Sequence, residues 1–84
     1  MTAFKFNAEH FDQIFDTLFE GYAVTLVKEN KACLTIEMDN ADEFSLTLAT
    51  PAGIELHAYH VFSYGALFDF LDGITFIDMI HHDA

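Results

Sequence analysis

A chain of 84 residues makes one domain with a thin core, and a 52% hydrophobic composition with ten Phe supplies the apolar area it needs to fold. Fourteen Asp and Glu face only three basic residues, Lys5, Lys28 and Lys31, for a formal net charge of −11. That balance argues against direct binding of DNA, RNA or an anionic membrane, all of which need basic surface, and it favours a cationic protein partner.

Phe4 and Phe6 alternate with Lys5 and suit a brief edge strand or a staple ahead of the first helix. Asn7 to Gly21 reads as an amphipathic helix. Phe11, Ile14, Phe15, Leu18 and Phe19 recur at helical spacing as an apolar stripe, and Glu9, Asp12, Asp16 and Glu20 form a carboxylate row on the other side. Asn7 is a good N-cap, Glu9 suits the positive end of the helix dipole, Gly21 suits the residue after the C-cap, and Glu20 opposes the dipole.

Four period-two segments come next: Tyr22–Val27, Ala32–Met38, Glu43–Ala49 and Ile54–Val61. The turns between them are Lys28–Lys31, with Asn30 suited to positive φ, then Asp39–Asp42 and Thr50–Gly53. The expected inward residues are Ala32, Leu34, Ile36 and Met38, then Phe44, Leu46 and Leu48, then Ile54, Leu56 and Ala58; Cys33, Thr35 and Glu37 point outward. Ser63 caps a second helix carrying Tyr64, Leu67, Phe68 and Leu71 inward and Asp69 and Asp72 outward, ended by Gly73. Residues 74–80 are β-branched enough for a strand, while Ile77 and Ile80 also fit a helical turn, so the reading there is a short strand or an irregular tail. The expected fold is one α+β domain: N-terminal amphipathic helix, four-stranded antiparallel meander and C-terminal helix, with both helices on one face of the sheet.

Cys33 is the single cysteine, which rules out an internal disulfide and gives no sign of an oxidising compartment. The N-terminal MTAFKFNAEHF lacks the basic-then-apolar order of a signal peptide, and no apolar run reaches the ~18–20 residues of a membrane helix. The expected location is the cytoplasm.

The acids carry the functional argument. Ordinary solvated helix faces mix signs through i, i+4 pairs, but no Lys or Arg lies in the first helix. Its four carboxylates span roughly 16 Å, sparser than the charge on duplex DNA, so imitation of a nucleic acid needs a second row. Glu37, Asp39, Asp42 and Glu43 are one source, and Asp69 and Asp72, with Asp78, are another. Together these ten (Glu9, Asp12, Asp16, Glu20, Glu37, Asp39, Asp42, Glu43, Asp69, Asp72) are the predicted partner-binding residues. The bland alternative is that the acids keep a greasy small domain soluble.

Other chemistry finds little footing. His57, His60, His81 and His82 with Asp83 and Cys33 are the right ligand types for zinc, but i and i+3 point to opposite faces of a strand, so no metal site is assigned. Cys33 and Ser63 sit in no nucleophile motif, and carboxylate pairs such as Asp39 with Asp42 lack a desolvated cleft; the chain is read as a non-enzyme without cofactor. Tyr59, Phe62, Tyr64, Phe68 and Phe70 crowd one segment, with Phe70 off the apolar stripe and suited to a partner or homodimer contact.

In size, charge and element order the chain resembles the nucleic-acid mimics of phages and mobile elements, among them anti-CRISPR and anti-restriction proteins and glycosylase inhibitors. The resemblance implies a small inhibitor that blocks the DNA or RNA site of a basic protein. The alternative is an immunity-like or antitoxin-like protein, or an assembly subunit, bound through the C-terminal aromatic segment.

Overall fold

A computed structural model describes residues 3–83. The element order is β1 (Phe4–Lys5), α1 (Ala8–Phe19), β2 (Tyr22–Val27), β3 (Cys33–Asn40), β4 (Glu43–Ala49), β5 (Glu55–Val61), α2 (Tyr64–Leu71), β6 (Thr75–Phe76) and β7 (Asp78–Asp83).

The sheet corrects the expected four-stranded meander. It has five antiparallel strands in the order β5-β4-β3-β2-β7, and β1 with β6 forms a separate two-stranded ribbon. Without β7 the outer edge of β2 would leave a row of unpaired backbone groups. The segment 78–83 fills it, with Val24 opposite His81 and Leu26 opposite Met79. Its composition, DMIHHD, sets one apolar side chain on each face, Met79 toward the core and Ile80 away from it, among four polar ones, as an edge strand tolerates, and this hides the strand from a search for apolar alternation. The chain bends at Ile77, whose N–H donates to the Val27 carbonyl at 2.7 Å, so 74–80 is two strands of different sheets.

Side-chain alternation gives the sheet two unlike faces. Val24, Leu26, Leu34, Ile36, Phe44 and Leu46 share one face and are buried with Ile14 and Leu18 of α1 and Leu67 and Leu71 of α2. The layer over this face is more than the two helices, because Phe6 and Phe76 from the ribbon's segments belong to the same core. The opposite face carries small polar residues: Thr25 pairs with Thr35, and Thr35 with Thr47. The Thr25 hydroxyl hydrogen-bonds to the Thr35 hydroxyl at 3.0 Å and to His82 Nε2 at 2.8 Å.

β5 faces the reverse of the expected way. A register shift between Leu48 and Ala49 sets His57 opposite Leu48, Tyr59 opposite Leu46 and Val61 opposite Phe44. Tyr59 and Val61 therefore join the core face, and Ile54 and Leu56 are exposed at 64% and 57%. One residue of slippage moves every side chain to the other face, and a bulge supplies that slip. A smaller correction lies in the β2–β3 turn: Lys31, not Asn30, takes the positive φ (69°), and the Asn30 side-chain oxygen accepts from the Ala32 N–H at 3.0 Å.

Candidate functional site

Local sequence fixes where α1 begins and ends. Asn7 Oδ1 accepts from the N–H of Glu9 (3.0 Å) and of His10 (3.3 Å), and the Asn7 N–H donates back to His10 Nδ1 at 3.2 Å. Two of the orphan donors of the first turn are thus satisfied, and one more backbone donor is tied down outside the helix. Gly21, at φ 95°, turns the chain into β2. Between these ends Ile14, Thr17 and Leu18 are buried. Glu9, Asp12, Asp16 and Glu20 are all exposed, on the side of the helix away from the sheet. Asp12 and Asp16, and Asp16 and Glu20, are like-charge i, i+4 pairs, each costing a few tenths of a kcal/mol. Glu20 is the C-cap residue, and the last turn contains no basic side chain.

α2 stands in the same layer. Ser63 Oγ accepts from the Ala66 N–H at 3.0 Å to start it. Phe11 of α1 meets Phe68 edge-on at 5.2 Å between centroids, and Phe15 meets Tyr64 at 4.4 Å. Asp69 and the C-cap Asp72 are exposed. Six of the predicted carboxylates therefore ride on one layer, and neither helix holds a Lys or Arg.

The remaining four are not brought to that layer. Glu37 pairs with Ser45, in the row beside Thr35 and Thr47, on the sheet face away from the helices. Asp39 accepts a hydrogen bond from the Ser45 hydroxyl, which holds it on that side as well. Asp42 occupies the two-residue turn between β3 and β4, and Glu43, partly exposed, pairs with Asn40 beyond a register shift. The sheet separates Glu37 and Asp39 from the α1 row, and Asp42 and Glu43 lie at the β3–β4 end of the sheet.

Two aromatic assignments change. Phe70 packs against Tyr59 at 4.8 Å and joins the core cluster, so it is no exposed hot spot. Phe19, a member of the predicted apolar stripe, is 58% exposed. On a helix Ile14 and Phe19 lie about 140° apart, wider than the buried arc of a small domain, and that arithmetic is the signal that places Phe19 outside. Its ring stacks on Phe15 at 4.8 Å with 23° between planes. An aromatic seam thus runs along the groove between α1 and α2 beside the acidic row, which residue spacing within either helix does not disclose.

On the other flank of α1 a cleft of about 490 Å³ is lined by Thr17, Glu20, Tyr22, His81, His82 and Asp83. The histidines do not converge on a metal. His57 lies against Tyr59 on the helical side, at 4.3 Å between rings, while His60 faces Ser45 on the other side, with Nδ1 3.5 Å from the hydroxyl. Among the described residues no group of three His, Cys, Asp or Glu is placed to hold a metal ion. Among them, too, no helix is long and apolar enough to cross a membrane.

Comparison with protein-family models, with curated proteins and with solved structures gave no match, so the site has to be read from its own geometry.

Proposed function

We propose that this protein is an interaction module that docks its helical layer on a basic, nucleic-acid-binding protein and competes with DNA or RNA for that surface. One observation carries the reading: Glu9, Asp12, Asp16, Glu20, Asp69 and Asp72 are exposed on one layer whose two helices contain no Lys or Arg. Uniform sign over such a layer steers a cationic groove toward it and makes association fast and sensitive to salt. Small size, strong acidity and a helical layer backed by a sheet suit a counter-defence inhibitor of the anti-CRISPR or anti-restriction kind, encoded by a phage or mobile element. Glu37, Asp39, Asp42 and Glu43 are left out of the contact surface, because they lie across the sheet or at its end.

The test is capture from native-host extract on immobilised protein, with duplex DNA or raised salt as the eluant. The expected eluate is a nucleic-acid-binding protein whose DNA or RNA binding is inhibited by the wild-type chain. The double variant Asp12→Lys/Asp16→Lys, checked for native circular dichroism, should neither capture nor inhibit it. Capture that survives both charge reversal and high salt would overturn the proposal in favour of an apolar contact.

A further inference from the structure

The α1 sequence repeats one step, Asp12-Gln13-Ile14-Phe15 and Asp16-Thr17-Leu18-Phe19. On a helix, residues three and four apart are surface neighbours, ~5–6 Å between Cβ atoms. The four residues Asp12, Asp16, Phe15 and Phe19 therefore form a parallelogram with carboxylates along one side and rings along the other. The rings are ordered by their own contacts. Phe15 is clasped by Tyr64 at 4.4 Å and stacked on Phe19 at 4.8 Å, leaving Phe19 58% exposed and Tyr64 37% exposed. A large ring held by stacking in this way offers a preformed face, with an uncompensated carboxylate, Asp16, one helical step away.

Few groups suit both halves of that surface. An aliphatic side chain covers the ring and strands the carboxylate. A lysine ammonium satisfies the carboxylate as a strongly hydrated point charge and gains less from the ring, having no plane to stack on it. A guanidinium does both, stacking its plane on the aromatic face while its edge donates to the carboxylate. We infer that the exposed face of Phe19, backed by Phe15 and Tyr64 and edged by Asp16, is a docking site for an arginine side chain of the basic partner. This assignment rests on the proposed electrostatic docking and adds a chemical preference within it: the partner presents arginine, rather than lysine, at the α1–α2 groove. Acidic rows and exposed aromatics then cease to be rival binding surfaces, since both belong to one.

The experiment titrates the protein with an arginine oligomer and a lysine oligomer of equal length and charge, by calorimetry at low ionic strength. Wild-type protein should bind the arginine oligomer roughly fivefold to tenfold more tightly. Phe19→Leu keeps an apolar side chain at an exposed position and should abolish that preference while leaving the affinity for lysine within about twofold of wild type. Asp16→Asn should weaken both oligomers. Equal affinity for the two, or a preference that survives Phe19→Leu, overturns the arginine site while leaving the electrostatic reading intact. Absence of binding by either oligomer overturns both.

Discussion

On the helical side of the sheet, Glu9, Asp12, Asp16 and Glu20 stand in a row beside stacked phenylalanine rings, with Asp69 and Asp72 in the same layer. On the far side, Glu37 and Asp39 stand over a lawn of small residues, Thr35, Thr47 and Ser45, and Asp39 is already engaged by the Ser45 hydroxyl. The two groups have the same charge chemistry and similar exposure. What differs is their company. The first borders aromatic surface that a partner can bury, the second borders hydroxyls, of which Ser45 donates to Asp39 and Thr35 bonds to Thr25. A patch of desolvatable rings rimmed by charge has the anatomy of a binding surface, whereas a charge over a polar lawn mainly adds to the long-range field.

The largest predicted effect concerns the sheet that divides the two sides. Ile36 is fully buried on the helical face, and its neighbour Thr35 lies on the far face. Ile36→Ala should cost about 2–5 kcal/mol of unfolding free energy in urea titration, against about 1 kcal/mol for Thr35→Ala. Similar costs for the two would mean that the far face is covered as the helical face is. Next is charge reversal in matched pairs. Asp12→Lys/Asp16→Lys and Glu37→Lys/Asp39→Lys change the net charge equally. Measured by competition with DNA for the captured partner, the first should lose roughly 2–5 kcal/mol of binding and the second only the smaller share due to steering. Equal losses would erase the distinction between the two sides.

Smaller effects probe α1 as the platform. Asn7→Ala removes the acceptor for two N–H groups and should cost about 1 kcal/mol, lowering the melting temperature by roughly 4–8 °C. Smallest is Glu20→Lys, which places a cation at the negative end of the helix and next to Asp16 in i, i+4 relation. It should stabilise the fold by about 0.3–1 kcal/mol in thermal denaturation while weakening partner binding. A variant that gains stability as it loses affinity would mark the carboxylate as retained at the expense of the fold.

How much of the molecule is legible in its residues depends on whether the cause is local. Helix α1 is legible, because its cap, its apolar spacing and Gly21 all act within one or two turns. The inward residues of β3 and β4 are too, because an uninterrupted period-two pattern names a face. That same alternation sets Glu37 on the side away from the helices, although it gives no sign of where α1 lies. The facing of β5 is hidden because a bulge carries no hydrophobic signature, and β7 is hidden because an edge strand needs none. Within the site, the acidic positions can be read directly. The aromatic seam cannot, since Phe15 and Tyr64 meet only when α1 and α2 lie side by side.

The pairing of β2 with β7 has a consequence for how the chain reaches this shape. β2 is sheet-paired on both sides, to β3 across a short turn and to β7 with Thr25 opposite Ile80. The first pairing closes a small loop. The second must wait for nearly the whole intervening chain and bears the larger loop-closure entropy. Until it forms, Val24 and Leu26 line an open strand edge next to unburied core, the kind of edge to which another copy can add. The late strand is the polar one, DMIHHD, with Asp at both ends. A nascent chain therefore meets its greatest risk of association before its most soluble strand has docked. Its −11 charge, whatever it recruits once folded, also keeps such intermediates apart.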